Sequence, residues 1–565
     1  MTKNTHRRQS RAILPLAAAI AAGMSGQATA FTFYLGDVEA SLDTTLTAGV
    51  IWRATDFDER LIAQGNLGPE YAFTNRGASS NNFDDGNLNF ERGDTVSEVL
   101  QGTSELLLTH DVRGEYLDRV GSFVRGRYYY DFKLKDGDMA VDPVGQRREL
   151  NDDARDNASG VDLLDAYIFT DWYIGDTPIS LRYGEQVISW GESTFIQGGI
   201  NVINPFDVPA LRQPGAELKN GLLPVEMFYT SVGVTPNVTV EAFVQTDWEK
   251  TEPDDCGTFF STNDFAADGC GPVLLAGQLP DSLAQEQGFV SPRLGDQEAD
   301  EKDQFGVAVR WFVPELNNSE FGFYYIKYNS RLPYVSGVVN NPSNPDSTQK
   351  NDPAAGEFTP FPNYFIEYPE NINLYGISVN TSLPDGWSLG AEYSFRDNLP
   401  LQWNAFELIF GGLQRRGPNG EVLSKLEQQR LEESGGANAN LAGKAVDGYD
   451  RFKVSQLQMT FLKFFDRFMG ASRMTFVGEI GATYVHGLPD LSEARFGRSG
   501  NFGIGPLPVS GDEFTGDVCA ASPSGDPADR ANINPSNCRN DGYTDSFSWG
   551  YVTRFVWEYN NVFAG

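Results

Sequence analysis

The chain ends in SFSWGYVTRFVWEYNNVF, residues 546–563, and this stretch decides how the rest is read. Phe547, Trp549, Tyr551, Phe555, Trp557, Tyr559 and Phe563 fall on one face of an extended strand. Ser548, Gly550, Arg554, Glu558 and Asn560 fall on the other. Alternation of period two marks a β-strand with one apolar and one polar surface. Such a strand fits two settings. In a soluble sandwich the apolar face packs on a second sheet. In a membrane barrel it faces lipid and the polar face lines the lumen.

The same pattern recurs upstream. In VTVEAFVQTDWEK, Val238, Val240, Ala242, Val244 and Trp248 oppose Glu241, Gln245, Asp247 and Glu249. In WSLGAEYSFR, Trp387, Leu389, Ala391, Tyr393 and Phe395 oppose Ser388, Glu392 and Arg396. FGVAVRWFV (305–313) and RMTFVGEIGATY (473–484) repeat it. The connections separate the two settings. They alternate between short (173–178, 235–237, 314–319, 383–386, 468–472) and long (55–95, 136–160, 191–222, 250–303, 332–370, 399–450, 487–544). Sorting by parity is the habit of outer-membrane barrels, with short periplasmic turns and long extracellular loops. The expectation is an all-β, single transmembrane antiparallel β-barrel of about 14 strands. LPLQWNAFELIFGGL (399–413) is the stretch that makes 16 if it adds a hairpin.

Composition agrees. Residues 1–30 read as a cleaved signal peptide: Lys3, Arg7, Arg8 and Arg11 precede the apolar run Ala12–Met24, and Ala28-Thr29-Ala30 fits the cleavage rule. The mature chain is expected to begin at Phe31. Losing those four positive charges takes the net charge from −34 to −38. A chain this acidic is not a nucleic-acid binder. No later stretch is long and apolar enough for a membrane helix, and no linker divides residues 31–565. The four cysteines pair locally, as Cys256–Cys270 and Cys519–Cys538. In an exported chain this favours two loop-closing disulfides over a metal site.

Catalytic motifs are absent. After removal of the leader only His110 and His486 remain, and the topology puts them at opposite ends of the barrel. There is no nucleophile elbow and no Walker loop, so no enzyme and no cofactor is expected. DDGNLNFE (84–91) looks faintly like a calcium loop, but its ligand spacing fails and solvated charge is the preferred reading. Arg125, Arg127, Arg310, Arg396, Arg473 and Arg554, with Glu241, Glu392, Glu479 and Glu558, fall on polar faces. Mixed signs favour a structural ion-pair network, or passage of uncharged or amphipathic solutes, over a charge-selective pore.

The stretch RYGEQVISWGESTFIQGGINVINPFDVPALRQPGAELKNGLLPVEMFY (182–229) closely resembles the proteobacterial outer-membrane family catalogued as domain of unknown function 1302. So do DDGNLNFERGDTVSEVLQGTSEL (84–106), GSFVRGRYYYDFKLKD (121–136), LLDAYIF (163–169) and GTFFSTNDF (257–265). The resemblance covers residues 31–565. It implies an outer-membrane barrel in contact with outer-membrane lipids, and it carries no catalytic residues. It also implies two partners, a periplasmic protein like the lipoprotein-sorting family and an inner-membrane export pump. One departure stands out: the terminal aromatic that guides barrel assembly, Phe563, is followed by Ala564-Gly565.

Together these readings predict an outer-membrane channel or transport protein for hydrophobic or amphipathic, lipid-like compounds. The alternatives are a general diffusion porin, a structural or adhesive surface barrel, and an outer-membrane hydrolase using His486. FTFYLG (31–36) reads as a hatch in the periplasmic mouth or as a lead-in. Segment 191–222 carries few charges up to Asn204, and Gly198-Gly199 and Asn204-Pro205 allow bends. It is expected to fold inward as a constriction or lid, or else to pack on the rim for stability. The gate candidates are Arg182, Gln186, Trp190, Glu192, Asn201, Asn204, Pro205, Asp207, Arg212 and Glu217.

Overall fold

The computed structural model describes residues 31–71, 76–214, 216, 221–341, 362–417, 420–436, 438–505, 534 and 539–559. The leader, Glu217, the Cys519–Cys538 pair and Phe563 lie outside the described residues. Alternating segments form one antiparallel sheet of fifteen strands, each hydrogen-bonded to its sequence neighbours. They are β1 Phe31–Leu35, β2 Val38–Trp52, β3 Thr95–Asp111, β4 Leu117–Asp131, β5 Ser159–Ile174, β6 Thr177–Gln186, β7 Val225–Thr235 and β8 Val238–Gln245. Then follow β9 Phe305–Val313, β10 Ser319–Tyr328, β11 Ile372–Leu383, β12 Trp387–Gln402, β13 Tyr449–Asp466, β14 Arg473–His486 and β15 Phe547–Glu558. Among the described residues no helix is long and apolar enough to cross a membrane.

Among the described residues the sheet has fifteen strands, the fourteen expected ones and one short addition. Phe31–Leu35 is neither hatch nor free lead-in; it pairs with Val38–Leu42 as a short edge strand. The 399–413 stretch adds no hairpin: β12 runs on to Gln402, and Ala405–Gly412 turns into a helix capped by Asn404. β8 also stops earlier than its alternation suggests. Trp248 therefore leaves the outer face and is buried against Tyr368, ring centroids 4.8 Å apart.

The outer face of the sheet is apolar along its whole width. Leu46, Leu107, Leu163, Ile168, Phe228, Val307, Phe323, Ile377, Leu457, Ile480, Trp549 and Tyr551 are all exposed. A soluble monomer rarely exposes a continuous belt of this kind.

Short connections lie at one end of the strands (112–116, 175–176, 236–237, 314–318, 384–386, 467–472). The Asp385-Gly386 turn has φ of 61° and 74°, the left-handed geometry that matches the twist of a tight hairpin. The seven long connections leave from the other end, and their described parts do not hang free. They pack into a cap with its own apolar clusters, around Phe265 and Tyr364, Phe90 and Leu150, and Trp403 and Phe496. The Cys256–Cys270 disulfide, with Cα atoms 6.1 Å apart, closes part of that cap.

The sheet is strongly curled. β6 and β14 are eight strands apart in order, about 38 Å if flat. Yet Thr194, eight residues beyond the end of β6, donates its backbone N–H to Glu479 on β14 at 3.0 Å. Eight extended residues reach at most about 28 Å. Only a sheet wrapped around the segment brings the two together. Among the described residues no ladder joins β15 to β1 or β2.

Candidate functional site

The connection after β6 runs across the inside of the curled sheet and touches wall after wall. Asn204 ties its two ends. Its side chain accepts from Ile188 N (2.9 Å) and donates to the carbonyls of Gln186 (3.0 Å) and Leu223 (2.9 Å). Between Ile188 and Asn204 the chain lacks regular structure, so its backbone groups need other partners. Two carboxylates on the far wall supply them. Glu392 on β12 accepts from the N–H groups of Glu192 (2.5 Å), Ser193 (3.1 Å) and Ile200 (2.9 Å). Glu479 on β14 accepts from Thr194 (3.0 Å), Phe195 (2.5 Å) and Ile196 (2.9 Å).

The carbonyls of the segment are met by donors from the same wall. Gln458 donates to Ile196 O (3.0 Å), Gln456 to Gln197 O (2.8 Å) and Arg396 to Gly199 O (2.5 Å). A Cβ at Gly199 would meet Glu392 Oε1, so a larger residue there would displace that carboxylate from its backbone donors. On the near wall Trp190 is buried between Phe243 and Tyr324 and donates its indole N–H to Glu241 (2.7 Å). Ile188, Trp190, Ile200 and Ile203 pack with Met227, Phe243, Ala308, Ile326 and Leu374 into one buried cluster. The inner face of β7 to β11 is therefore largely apolar here, not the polar lining that alternation alone implies.

The inner charges split into two groups, and this corrects the single ion-pair network expected of them. Arg125 pairs with Asp165, both buried; Arg127 bridges Asp162 and Asp207 at 2.6 Å each; Arg310 bridges Glu241 (2.9 Å) and Glu320 (3.0 Å). Glu392, Glu479 and Arg396 instead hold the backbone of the segment. Arg473, Arg554 and Glu558 share their face by register, but they are exposed and stand apart from both groups. Arg473 pairs with Asp466 at 3.1 Å and lies over the Phe464 ring, beside the short turn.

The remaining gate candidates are spread along the segment. Arg182 lies against the rings of Tyr167 and Tyr229. Gln186 is buried and donates to Met227 O at 3.0 Å. Glu192 accepts from Asn380 at 2.8 Å, and Asn201 reaches only Ser189, at 3.4 Å. Pro205 is buried. Asp207 caps the helix Val208–Arg212 through Ala210 N, and Arg212 pairs with Asp254 at 3.1 Å. Residues missed by sequence reading include Asp162, Asp165, Gln456 and Gln458; the polar alternation in VSQLQMT (454–460) is the one signal that pointed to the last two.

A second feature lies under the cap. A cavity of about 280 Å³ is lined by residues of five long connections. Phe83, Phe265, Val335, Tyr364, Trp403, Phe406, Ile409, Leu426 and Val446 make most of its wall. Its charged lining residues are already engaged. Glu427 is held by Arg416 (2.7 and 2.8 Å), Arg430 by Asp450 (2.7 Å), and Arg498 donates to backbone carbonyls. The cavity thus offers surface for apolar matter and no bare charge among its described lining residues.

The cap also buries carboxyl groups. Burial pushes Glu252 up to about 7, against the pull of Lys250. Burial likewise lifts Asp254 to about 6 and Asp255 to about 6, opposed by Arg212 and by Asn157 respectively. Glu252 lies beside the crossing segment: its N–H donates to Phe206 O (2.8 Å) and its carbonyl accepts from Val208 N (3.0 Å). Asp84, expected to be a solvated loop charge, is fully buried.

The family model described as a protein of unknown function, DUF1302, matches residues 11–565. The chain belongs to this family. No curated protein matches this DUF1302 chain. Among solved structures it is similar to OprB of Pseudomonas putida at high pH (12% identity, TM-score 0.27, covering 69% of this chain and 70% of that one). It is also similar to OmpF of Salmonella typhi in complex with daunomycin (7% identity, TM-score 0.28, covering 81% and 93%). Likenesses this weak carry no argument about the DUF1302 chain, whose reading rests on its own geometry.

Proposed function

We propose that this protein is an outer-membrane β-barrel that binds hydrophobic or weakly amphipathic, lipid-like compounds under its cap and passes them through a lumen gated by segment 191–222. The apolar cavity is the observation that carries this reading. A space of that size with apolar walls and engaged charges favours an alkyl or ring system over an ion or sugar. The apolar outer belt supports the membrane setting, and the sorted connections support a cap on the cell exterior. In this reading the sheet closes along the seam between β15 and β2, residues 1–30 direct export, and a periplasmic carrier with an inner-membrane pump works beneath the barrel. The packed, multiply bonded crossing segment argues against a general diffusion porin.

Photolabelling of the purified protein with an alkyl diazirine tests the reading. Labelled peptides should map to 335–339 and 403–412, and filling the cavity with Ile409→Trp should abolish that labelling while label on the outer belt persists. Labelling confined to the belt in both proteins would remove the cavity from the account.

A further inference from the structure

The cap contains a group of carboxylates that the transport reading does not use. Asp84 and Asp85 lie in the β2–β3 connection and Asp264 in the β8–β9 connection. One oxygen from each can be chosen so that all three lie within 4.8 Å of one another. Arg148, from the β4–β5 connection, is the cation beside them, and it is committed to Asp85 and to Asp281. Asp84 and Asp264 make no ion pair among the described residues.

Asp84 has 0% exposure. Its Oδ2 accepts from Ala63 N (2.9 Å) and Asn66 Nδ2 (3.0 Å), while its Oδ1 is buried with no hydrogen-bond partner. A buried carboxyl oxygen withheld from water and from every donor is a place for a ligand that supplies positive charge. Asp264 is held in place from the other side, since its Oδ2 accepts from Asp84 N (3.1 Å) and Asp85 N (3.4 Å).

We propose that Asp84, Asp85 and Asp264 bind a calcium ion that fastens the β2–β3 connection to the β8–β9 connection. Oxygen-only ligands select a hard cation and disfavour zinc or copper. Two oxygens bound to one calcium lie at most about twice 2.4 Å apart, and the three oxygens fall within that limit. The faint loop pattern at 84–91 fails as a continuous calcium loop because the third ligand comes from a distant connection. Such a site, outside the cell, works at calcium levels of roughly 0.1 to 1 mM.

The test uses the full chain in detergent, stripped with EDTA and dialysed against ⁴⁵Ca²⁺. The wild type should bind one equivalent more than Asp84→Asn or Asp264→Asn, and calcium should raise the melting temperature of the wild type but of neither of these two variants. Asp385→Asn, in a short turn at the far end, should behave as the wild type. Equal stoichiometry and equal melting shifts in all four proteins would overturn the site. Should the cap variants not fold, hydrogen exchange on the wild type decides. Calcium-dependent protection confined to 77–90 and 257–266 supports the site, and unchanged exchange there overturns it.

Discussion

Glu479 and Phe195 are 284 residues apart in the chain, and a 2.5 Å hydrogen bond from the Phe195 N–H to the Glu479 carboxylate joins them across the inside of the curled sheet. Glu392 does the same for Glu192, Ser193 and Ile200. Two side chains thus replace the secondary structure that the segment lacks. Charge-assisted bonds of this kind contribute about 1.5–3 kcal/mol each when buried.

Glu392→Gln with Glu479→Gln should therefore free the segment. Each amide keeps one accepting oxygen where the carboxylate used two, and it brings an N–H that faces other donors. Because the described cysteines are disulfide-bonded, Ser193→Cys gives a clean reporter. A water-soluble maleimide should label it at least tenfold faster in the double variant than in the parent. Equal rates would show that the carboxylates do not hold the segment.

Arg127→Met should destabilise the barrel by about 3–5 kcal/mol, because it strands Asp162 and Asp207 without their cation. Adding Asp207→Asn should recover part of the loss. Denaturant midpoints, read by heat-modifiable gel migration, check both. A single variant as stable as the wild type would deny the bridge its structural role.

Trp190→Ala removes a fully buried ring from between Phe243 and Tyr324 and leaves Glu241 without its indole donor. The expected cost is about 3–5 kcal/mol. Trp190→Phe should cost less, since it fills much of the space and loses mainly the hydrogen bond. Thermal melts of the two variants give the comparison.

The cap carboxyls set a pH dependence. Glu252, Asp254 and Asp255 have folded-state values above their unfolded ones, so the folded cap holds protons that the unfolded chain has released. Stability is then highest at the acid end of the window and falls as pH rises from about 5 to 8. The combined change should be on the order of 2 kcal/mol after solvent screening. Limited proteolysis of 246–304 across that range should show faster cleavage at pH 8, and Glu252→Gln should flatten the slope.

The strands were legible in the sequence because one apolar and one polar face impose period two, and β15 shows it over its whole length. The crossing segment was legible only as an anomaly, a run with too few charges for an exposed loop. What holds it was not. Glu392, Glu479 and Arg396 announce themselves as inner charges, but nothing in a linear pattern says that they serve backbone groups rather than one another. Trp248 and Phe31–Leu35 were misread for a related reason. Where a strand stops, and what an edge strand pairs with, are set by tertiary contacts rather than by periodicity. Asp84 was read as solvated because burial by a distant connection leaves no local mark.

The central claim is that segment 191–204 closes the lumen and is held there by Glu392 and Glu479. Planar-bilayer recording of the wild type beside the Glu392→Gln, Glu479→Gln variant tests it directly. The account predicts almost no steady conductance from the wild type and frequent openings from the variant. A large, stable, ohmic conductance from the wild type, unchanged in the variant, would contradict it.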